Sequence, residues 1–401
     1  MTDSILKSDV KELELNALLE ITQAINNNIP EDSLYRIYRF TLLANLKIKK
    51  LALFVNEINW NCKVSFGVKP DFSTVALPEE YHHLESTRLL GFSEYPFGEF
   101  NIVFPVLHKE RLLAVVFIGE ISNPEVSVET NTTFLKALTN IIMVAIENKN
   151  MARQQLEQEV YHKELEIAKQ VQQLLFPKEL PNTNNLKIAA FYQPHHDVSG
   201  DYYDYIPLGK DKFIVCIADV SGKGVPAAIW MSNFQASLRT LTRQTDNLIN
   251  IVRELNYQVK GRGDRDMFIT FFIACYDFSK NELRYINAGH NPPILIANGK
   301  LETLQTGSTI LGVFEPLPFI DEGVLTNLYD FLLFCYTDGV TETFNENQTE
   351  FGMGKLVELI SKNQKDDLDE MNDKLVESLN TFRGSIPHND DITILSCRVK
   401  N

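Results

Sequence analysis

The sequence predicts an α+β protein of several domains, two strand-rich parts joined by one long helix. Three observations predict it. Apolar runs of strand length cluster in residues 51–120 and again in residues 187–399. In the second cluster the helical stretches come in pairs between strands, which fits α+β layers rather than alternating βαβ units. Between the clusters, residues 131–176 contain neither Gly nor Pro and are dominated by helix formers. At 401 residues, two or three domains are expected at ~150 residues each.

Taken in order, residues 9–26 read as a short helix. LALFVNE (51–57), NIVFPVLH (101–108) and LLAVVFIGE (112–120) read as strands, the last two joined across residues 109–111 as a hairpin. The Gly/Pro-free stretch is a helix of ~45 residues, or ~65 Å. Along it Ile146, Arg153, Val160, Ile167 and Leu174 recur every seven residues, with Leu156, Lys163 and Gln170 at the complementary seam position. A half-polar seam of this kind fits a marginal parallel dimer with a switchable register, and a solvated connecting helix fits the same residues. Pro177 and Pro181 end it. Beyond them KIAAFYQ, FIVCIADV, FITFFIACYDF, LRYINAG, PPILIAN, FLLFCYTDG and DITILSCRV read as strands, and residues 227–259 and 354–379 supply two helix pairs. The expected domains are residues 1–145, a coiled-coil-like linker at 146–180, and residues 181–401.

Composition narrows the function. With 38 basic and 53 acidic residues the formal net charge is −15. No Lys/Arg tract offsets it, so neither nucleic acid nor an anionic lipid surface is an expected partner. The longest apolar run, residues 112–118, is far short of the ~20 residues of a membrane span. The polar, acidic start is no secretory signal. Cys62, Cys216, Cys275, Cys335 and Cys397 are odd in number and form no CxxC, and four of them lie in apolar runs. A reduced, cytoplasmic location is the expectation.

Acids gather at strand ends. Asp219 ends FIVCIADV, Asp338 ends FLLFCYTDG, Asp390 and Asp391 open DITILSCRV, and Asp201 precedes a strand in VSGDYYDY. Each alone reads as a turn residue. A sheet that brought all these ends together would hold several carboxylates within a few ångströms, and like charges at that distance need a cation. An all-oxygen set suits Mg²⁺ or Mn²⁺ rather than Zn²⁺. His195-His196 and His82-His83 lack zinc spacing and read as solvated surface.

EIAKQVQQLLFPKELP (166–181), VSGDYYDY (198–205), IADVSGKGVPAA (217–228), FITFF (268–272), NAGHNPP (287–293), YTDGVTET (336–343) and NDDIT (389–393) occur in this order. Together they resemble the sporulation-protein-E-type branch of the metal-dependent (type 2C) protein serine/threonine phosphatases over roughly residues 160–400. The resemblance implies a four-layer α-β-β-α sandwich and two divalent ions. It implies Asp219 as the acid bridging both ions, with the backbone carbonyl of Val220 as a further ligand. Asp338 and Asp390 resemble the remaining first-metal ligands, and Asp201 the acid that serves the second metal directly or through water. Where many type 2C enzymes carry a neighbouring Glu, this chain has Gly200, which leaves occupancy of the second site open. Asp391 and Asp204 are expected as supporting or surface groups. A metal-bridged water would attack phosphorus in line, with no covalent phosphoenzyme. Lys223 is a candidate phosphate contact, and His290 is either a general acid or a histidine that fixes its loop.

Residues 14–150 resemble a GAF-like sensory domain in architecture alone, and a PAS-like module fits the same order. Trp60, Tyr81, His82 and His83 are read as pocket lining or, more simply, as core and loop. The implied function is a signal-regulated phosphatase acting on phosphoserine or phosphothreonine. Its substrate would be an anti-anti-sigma-type partner-switching protein, with a homodimer formed through the linker and a small ligand as a candidate input. A catalytically inactive sensory scaffold is one rival. A sensor histidine kinase is another, but the glycines after Asp219 fall one position late for an ATP-binding DxGxG turn, and no Pro follows His162 at kinase spacing.

Overall fold

The computed structural model describes residues 2–45, 48–69, 71–90, 95–121, 128–262 and 267–400. The chain divides into two compact units, Met1–Glu159 and Val160–Asn401. The expected linker, residues 146–180, is thus split between them.

In the first unit, helices α1 (Thr2–Asn26) and α2 (Glu31–Asn45) precede a sheet of β1 (Ile48–Asn56), β2 (Trp60–Phe66), β3 (Arg88–Leu89), β4 (Ile102–His108) and β5 (Arg111–Ile121), followed by α3 (Val128–Gln173). The sheet is antiparallel in the order β2-β1-β5-β4-β3. Both faces are covered, which is why β1 and β5 read as continuous apolar runs rather than alternating ones. Leu51, Leu53, Val116 and Ile118 join Ala17, Ile21, Tyr38, Leu135 and Leu138 in one core. Phe54 and Phe117 join Phe72, Tyr81, Phe97 and Phe100 in an aromatic cluster on the other side. The β4–β5 hairpin turns at Lys109 and Glu110, both at positive φ (45° and 68°), the conformation tight two-residue hairpins require. Tyr81 belongs to the aromatic core, Trp60 stacks on His82 at 5.7 Å, and His83 is exposed. Core and loop therefore account for all four.

Helix α3 is 46 residues long. Its expected seam needs correction at the start. Ile146 is buried in the core of the first unit, and Arg153 is tied to Glu157 at 2.9 Å one turn on. The exposed apolar stripe begins at Leu156 and continues through Val160, Ile167, Val171 and Leu174, each at least half exposed. Val171, rather than Gln170, carries it across the last turns.

The second unit is a sandwich. One sheet runs β13-β10-β9-β8-β7, with β14 also on β10; the other runs β12-β11-β15-β16-β6. In chain order these are β6 (Leu186–Gln193), β7 (Tyr202–Pro207), β8 (Lys212–Val220), β9 (Ile269–Asp277), β10 (Glu282–Ala288), β11 (Ile294–Ala297), β12 (Lys300–Thr303), β13 (Gly307–Ser308), β14 (Gly323–Leu325), β15 (Phe331–Tyr336) and β16 (Ile392–Val399). Helices α4 (Val225–Thr242) and α5 (Leu248–Arg262) follow β8; α6 (Asp338–Thr341), α7 (Gly352–Asn363) and α8 (Leu368–Arg383) follow β15.

Strand alternation builds four layers. On β8, Phe213, Val215 and Ile217 face the second sheet with Phe272, Leu333 and Leu395. Its Ile214, Cys216, Ala218 and Val220 face α4 and α5 through Met231, Phe234 and Leu255. On the far side, Leu356, Ile360, Leu375 and Leu379 of α7 and α8 cover Phe334 and Ile394. The α-β-β-α order is the expected one. Cys216, Cys275, Cys335 and Cys397 are buried free thiols, while Cys62 is half-buried. Among the described residues no helix is long and apolar enough to cross a membrane.

Candidate metal centre

Strand register gathers the predicted acids at one end of the sandwich. Tyr202 pairs with Ala218 across β7 and β8, so Asp201 and Asp219 fall at the same end of the first sheet. Tyr336 pairs with Ile394 across β15 and β16, which sets Asp338 beside Asp390 and Asp391 in the second.

Electrostatics shows that they feel one another's charge. Burial, then the charges of Asp338, Asp390 and Asp391, push Asp219 up to about 8, with Lys223 opposing. Burial, then Asp390 and Glu342, raise Asp338 to about 6. Burial, then Asp219 and Asp391, raise Asp201 well above the usual carboxylate range. Mutual repulsion of this kind is relieved by a cation. The donors are carboxylates and backbone carbonyls without His or Cys, the set that suits a hard ion such as Mg²⁺ or Mn²⁺. Among the described residues, no group of three or more His, Cys, Asp or Glu is drawn in closely enough to hold a metal by itself. The acids are therefore brought to one place without forming a closed cage. The chemistry of the donor set fits the implied ions.

The turn after β8 is built by glycine. Gly222 and Gly224, at φ 89° and 70°, flank Lys223 in backbone that other residues rarely adopt. Lys223 Nζ reaches Asp390 Oδ2 at 2.8 Å and donates to the Asn389 carbonyl at 2.7 Å. The expected phosphate contact is thus occupied as the counter-charge of Asp390. Gly200 lies against β8: a Cβ there would stand 2.7 Å from the Val220 carbonyl oxygen. Any side chain at 200 would collide with the carbonyl expected to serve as a ligand.

The supporting acids are fully committed. Asp391 accepts from the His195 backbone N–H and from Ser199 Oγ, both at 2.6 Å. Asp204 is no surface group. It is 0% exposed and accepts from Arg239 Nε (2.7 Å) and Nη2 (2.8 Å), from the Tyr205 N–H and from the Tyr202 hydroxyl. His290 fixes its loop: its ring Nδ1 pairs with Thr270 Oγ1 at 2.8 Å and its N–H donates to Asn287 Oδ1 at 2.8 Å. Burial lowers its pKa to about 4, which favours the neutral ring near pH 7. His195 is half-buried beside Asp391 while His196 is exposed, their rings 4.4 Å apart.

Sequence reasoning missed Gln172, Ser199, Thr337 and Thr393, although all four lie inside the quoted motifs. Gln172, in the last turn of α3, is buried; it donates to the Ser199 carbonyl (2.7 Å) and accepts from the Ser199 N–H (3.2 Å). Thr337 and Thr393 bind Asp201.

Residues 209–400 match the stage II sporulation protein E (SpoIIE) family. The chain is 30% identical over 279 residues to protein IcfG of Synechocystis sp., a match that covers 62% of this chain and 43% of that protein. It therefore spans less than half of that relative's length. It is 30% identical over 239 residues to the phosphoserine phosphatase RsbU of Bacillus subtilis, covering 59% of this chain and 70% of that protein. The SiaA-PP2C domain of Pseudomonas aeruginosa shares the fold, with a TM-score of 0.55 at 19% identity over 61% of this chain and 99% of that one. With the sandwich, the gathered acids and these matches in place, the chain belongs to the sporulation-protein-E-type branch of the type 2C protein phosphatases.

Proposed function

We propose that this chain is a Mn²⁺- or Mg²⁺-dependent phosphoprotein phosphatase that hydrolyses phosphoserine or phosphothreonine under sensory control. The observation that carries it is the carboxylate set Asp219, Asp338 and Asp390, whose charges oppose one another across the sandwich end. Two divalent ions there would supply a water of lowered pKa, aligned for attack on phosphorus, and would offset the phosphoryl charge. The chain's own part is to hold the acids. Asp219 and the Val220 carbonyl sit at the end of β8, Asp338 at the start of α6, and Asp390 just before β16. Lys223 keeps Asp390 in place. His290, neutral and buried, holds the Asn287 loop behind Thr270, which pairs with Asp219.

Control is proposed to reach the site through α3. Its last turn holds Ser199 through Gln172, and Ser199 in turn holds Asp391 and the Asp201 N–H. The exposed stripe of Leu156, Val160, Ile167, Val171 and Leu174 is proposed to pair with that of a second copy, giving the homodimer. At ~100° per residue these five fall within a ~60° arc, the width of a two-stranded seam. The first unit is proposed to be the GAF-like sensor, a reading supported by its leading helix, its hairpin and the helix that leaves it. A cleft of about 560 Å³ lined in part by Tyr35, Arg36, Arg39 and Lys63 is the proposed place for an anionic small ligand.

RsbU and RsbP of Bacillus subtilis carry the name phosphoserine phosphatase, which supports phosphoserine as the group cleaved; an anti-anti-sigma-type partner-switching protein is proposed as its bearer on the resemblance alone. The test is phosphate release with Mn²⁺ from such phosphoproteins. Release from a serine- or threonine-phosphorylated protein is expected, and a chain that cleaves small phosphoesters but no such phosphoprotein would remove the substrate class.

A further inference from the structure

Two threonines from different segments close on one oxygen of Asp201. Thr337, which links β15 to α6, donates from Oγ1 to Asp201 Oδ2 at 2.9 Å. Thr393, on β16, donates to the same oxygen at 2.5 Å. The two are also joined to each other. The Thr337 N–H donates to the Thr393 carbonyl at 3.0 Å, and the Thr393 N–H donates to Thr337 Oγ1 at 3.0 Å. The Thr337 hydroxyl also lies 3.5 Å from the Asp391 carbonyl, a weaker destination for the same hydrogen. All three side chains are buried.

This clasp spans three acid-bearing segments. Thr337 precedes Asp338, Thr393 follows Asp390 and Asp391 on one strand, and Asp201 leads into β7. A carboxylate buried at this depth is costly unless its lone pairs are met. A hydroxyl proton can meet them, whereas a valine of nearly the same shape cannot. Both hydroxyls take Oδ2, which leaves Oδ1 outside the clasp.

We infer that Thr337 and Thr393 are positioning residues that hold the Asp201 carboxylate for the metal centre. The inference rests on the proposed role of Asp201 in serving a divalent ion. Groups that orient metal-binding carboxylates typically change metal affinity by about 10–100-fold when removed.

The test is a calorimetric Mn²⁺ titration of the full metal-free chain, comparing the parent with Thr337→Val, Thr393→Val, Thr393→Ser and Asp201→Asn. Each valine variant is expected to weaken Mn²⁺ binding about 10–100-fold, and Thr393→Ser, which keeps the hydroxyl, to stay within about threefold of the parent. Circular dichroism checks folding first; Thr→Ala, which removes the hydroxyl without adding bulk, replaces any valine chain that is unfolded. Parental affinity in the valine variants beside a weakened Asp201→Asn would overturn the clasp alone. Equal losses in the serine and valine variants would also overturn it, because the methyl group and not the hydroxyl would then matter. Parental affinity in Asp201→Asn would remove the underlying role of Asp201.

Discussion

Gly200 lies so close to Val220 that a single added methyl group would stand 2.7 Å from the Val220 carbonyl oxygen. The obstacle is backbone, which cannot swing aside as a flexible side chain does. Gly200→Ala is therefore expected to destabilise the second unit by about 1–3 kcal/mol through overpacking. At 2–4 °C per kcal/mol for a unit of this size, that is a fall of roughly 2–12 °C in the unfolding midpoint. Scanning calorimetry checks it. An unchanged midpoint would mean that the loop before β7 yields easily.

Among the described residues Arg239 is the one side-chain cation paired with the buried Asp204 carboxylate, and it grips both oxygens. Removing it leaves that charge buried without a counter-charge. Arg239→Met is expected to cost about 3 kcal/mol, the lower end for a broken buried pair because the Arg239 side chain is 41% exposed. Urea unfolding measures it. Asp204→Asn combined with Arg239→Met should recover part of the loss, since neither charge then remains.

Burial depresses the His290 pKa from 6.5 to about 4. The unfolded chain takes up its proton near pH 6.5 and the folded chain only near 4. The contribution of neutral His290 is thus fully present above pH 6.5 and lost as pH falls toward 4, to a total of roughly 3 kcal/mol. His290→Gln is expected to flatten the stability profile between pH 6.5 and 4, read by chemical denaturation across that range. A parallel profile for parent and variant would contradict the assignment.

The exposed stripe on α3 gives a prediction about assembly. Ile167 is 60% exposed and contributes to no core cluster among the described residues. Ile167→Glu is expected to convert a dimer into a monomer in sedimentation while leaving the melting of each unit nearly unchanged. A parent chain that is already monomeric at tens of micromolar would remove the proposed dimer.

Much of this fold was legible because its strands are covered on both faces. FIVCIADV reads as a strand since β8 is sandwiched between α4/α5 and the second sheet. Segments lacking such a signal were missed. Helix α2 mixes charged and apolar residues, β2 is half exposed, and β12 to β14 are two to four residues long. The site divides in the same way. Asp201, Asp219, Asp338 and Asp390 stand at strand ends that the sequence marks. Their supports do not, because Thr337 and Thr393 are 136 and 192 positions from Asp201 and nothing local announces the contact. Asp204 was left open between a supporting and a surface role for the same reason, its partner Arg239 being 35 residues away on another element.

The most direct test of the central claim is phosphate release from a small artificial phosphoester with and without Mn²⁺. It compares the parent chain with Asp219→Ala, Asp338→Ala and Asp390→Ala. Turnover that requires Mn²⁺ and falls at least about 100-fold in each variant is the expected result, since each removes a group that would hold the ions. Turnover that survives Asp219→Ala, or that proceeds equally well without a divalent ion, would contradict the account.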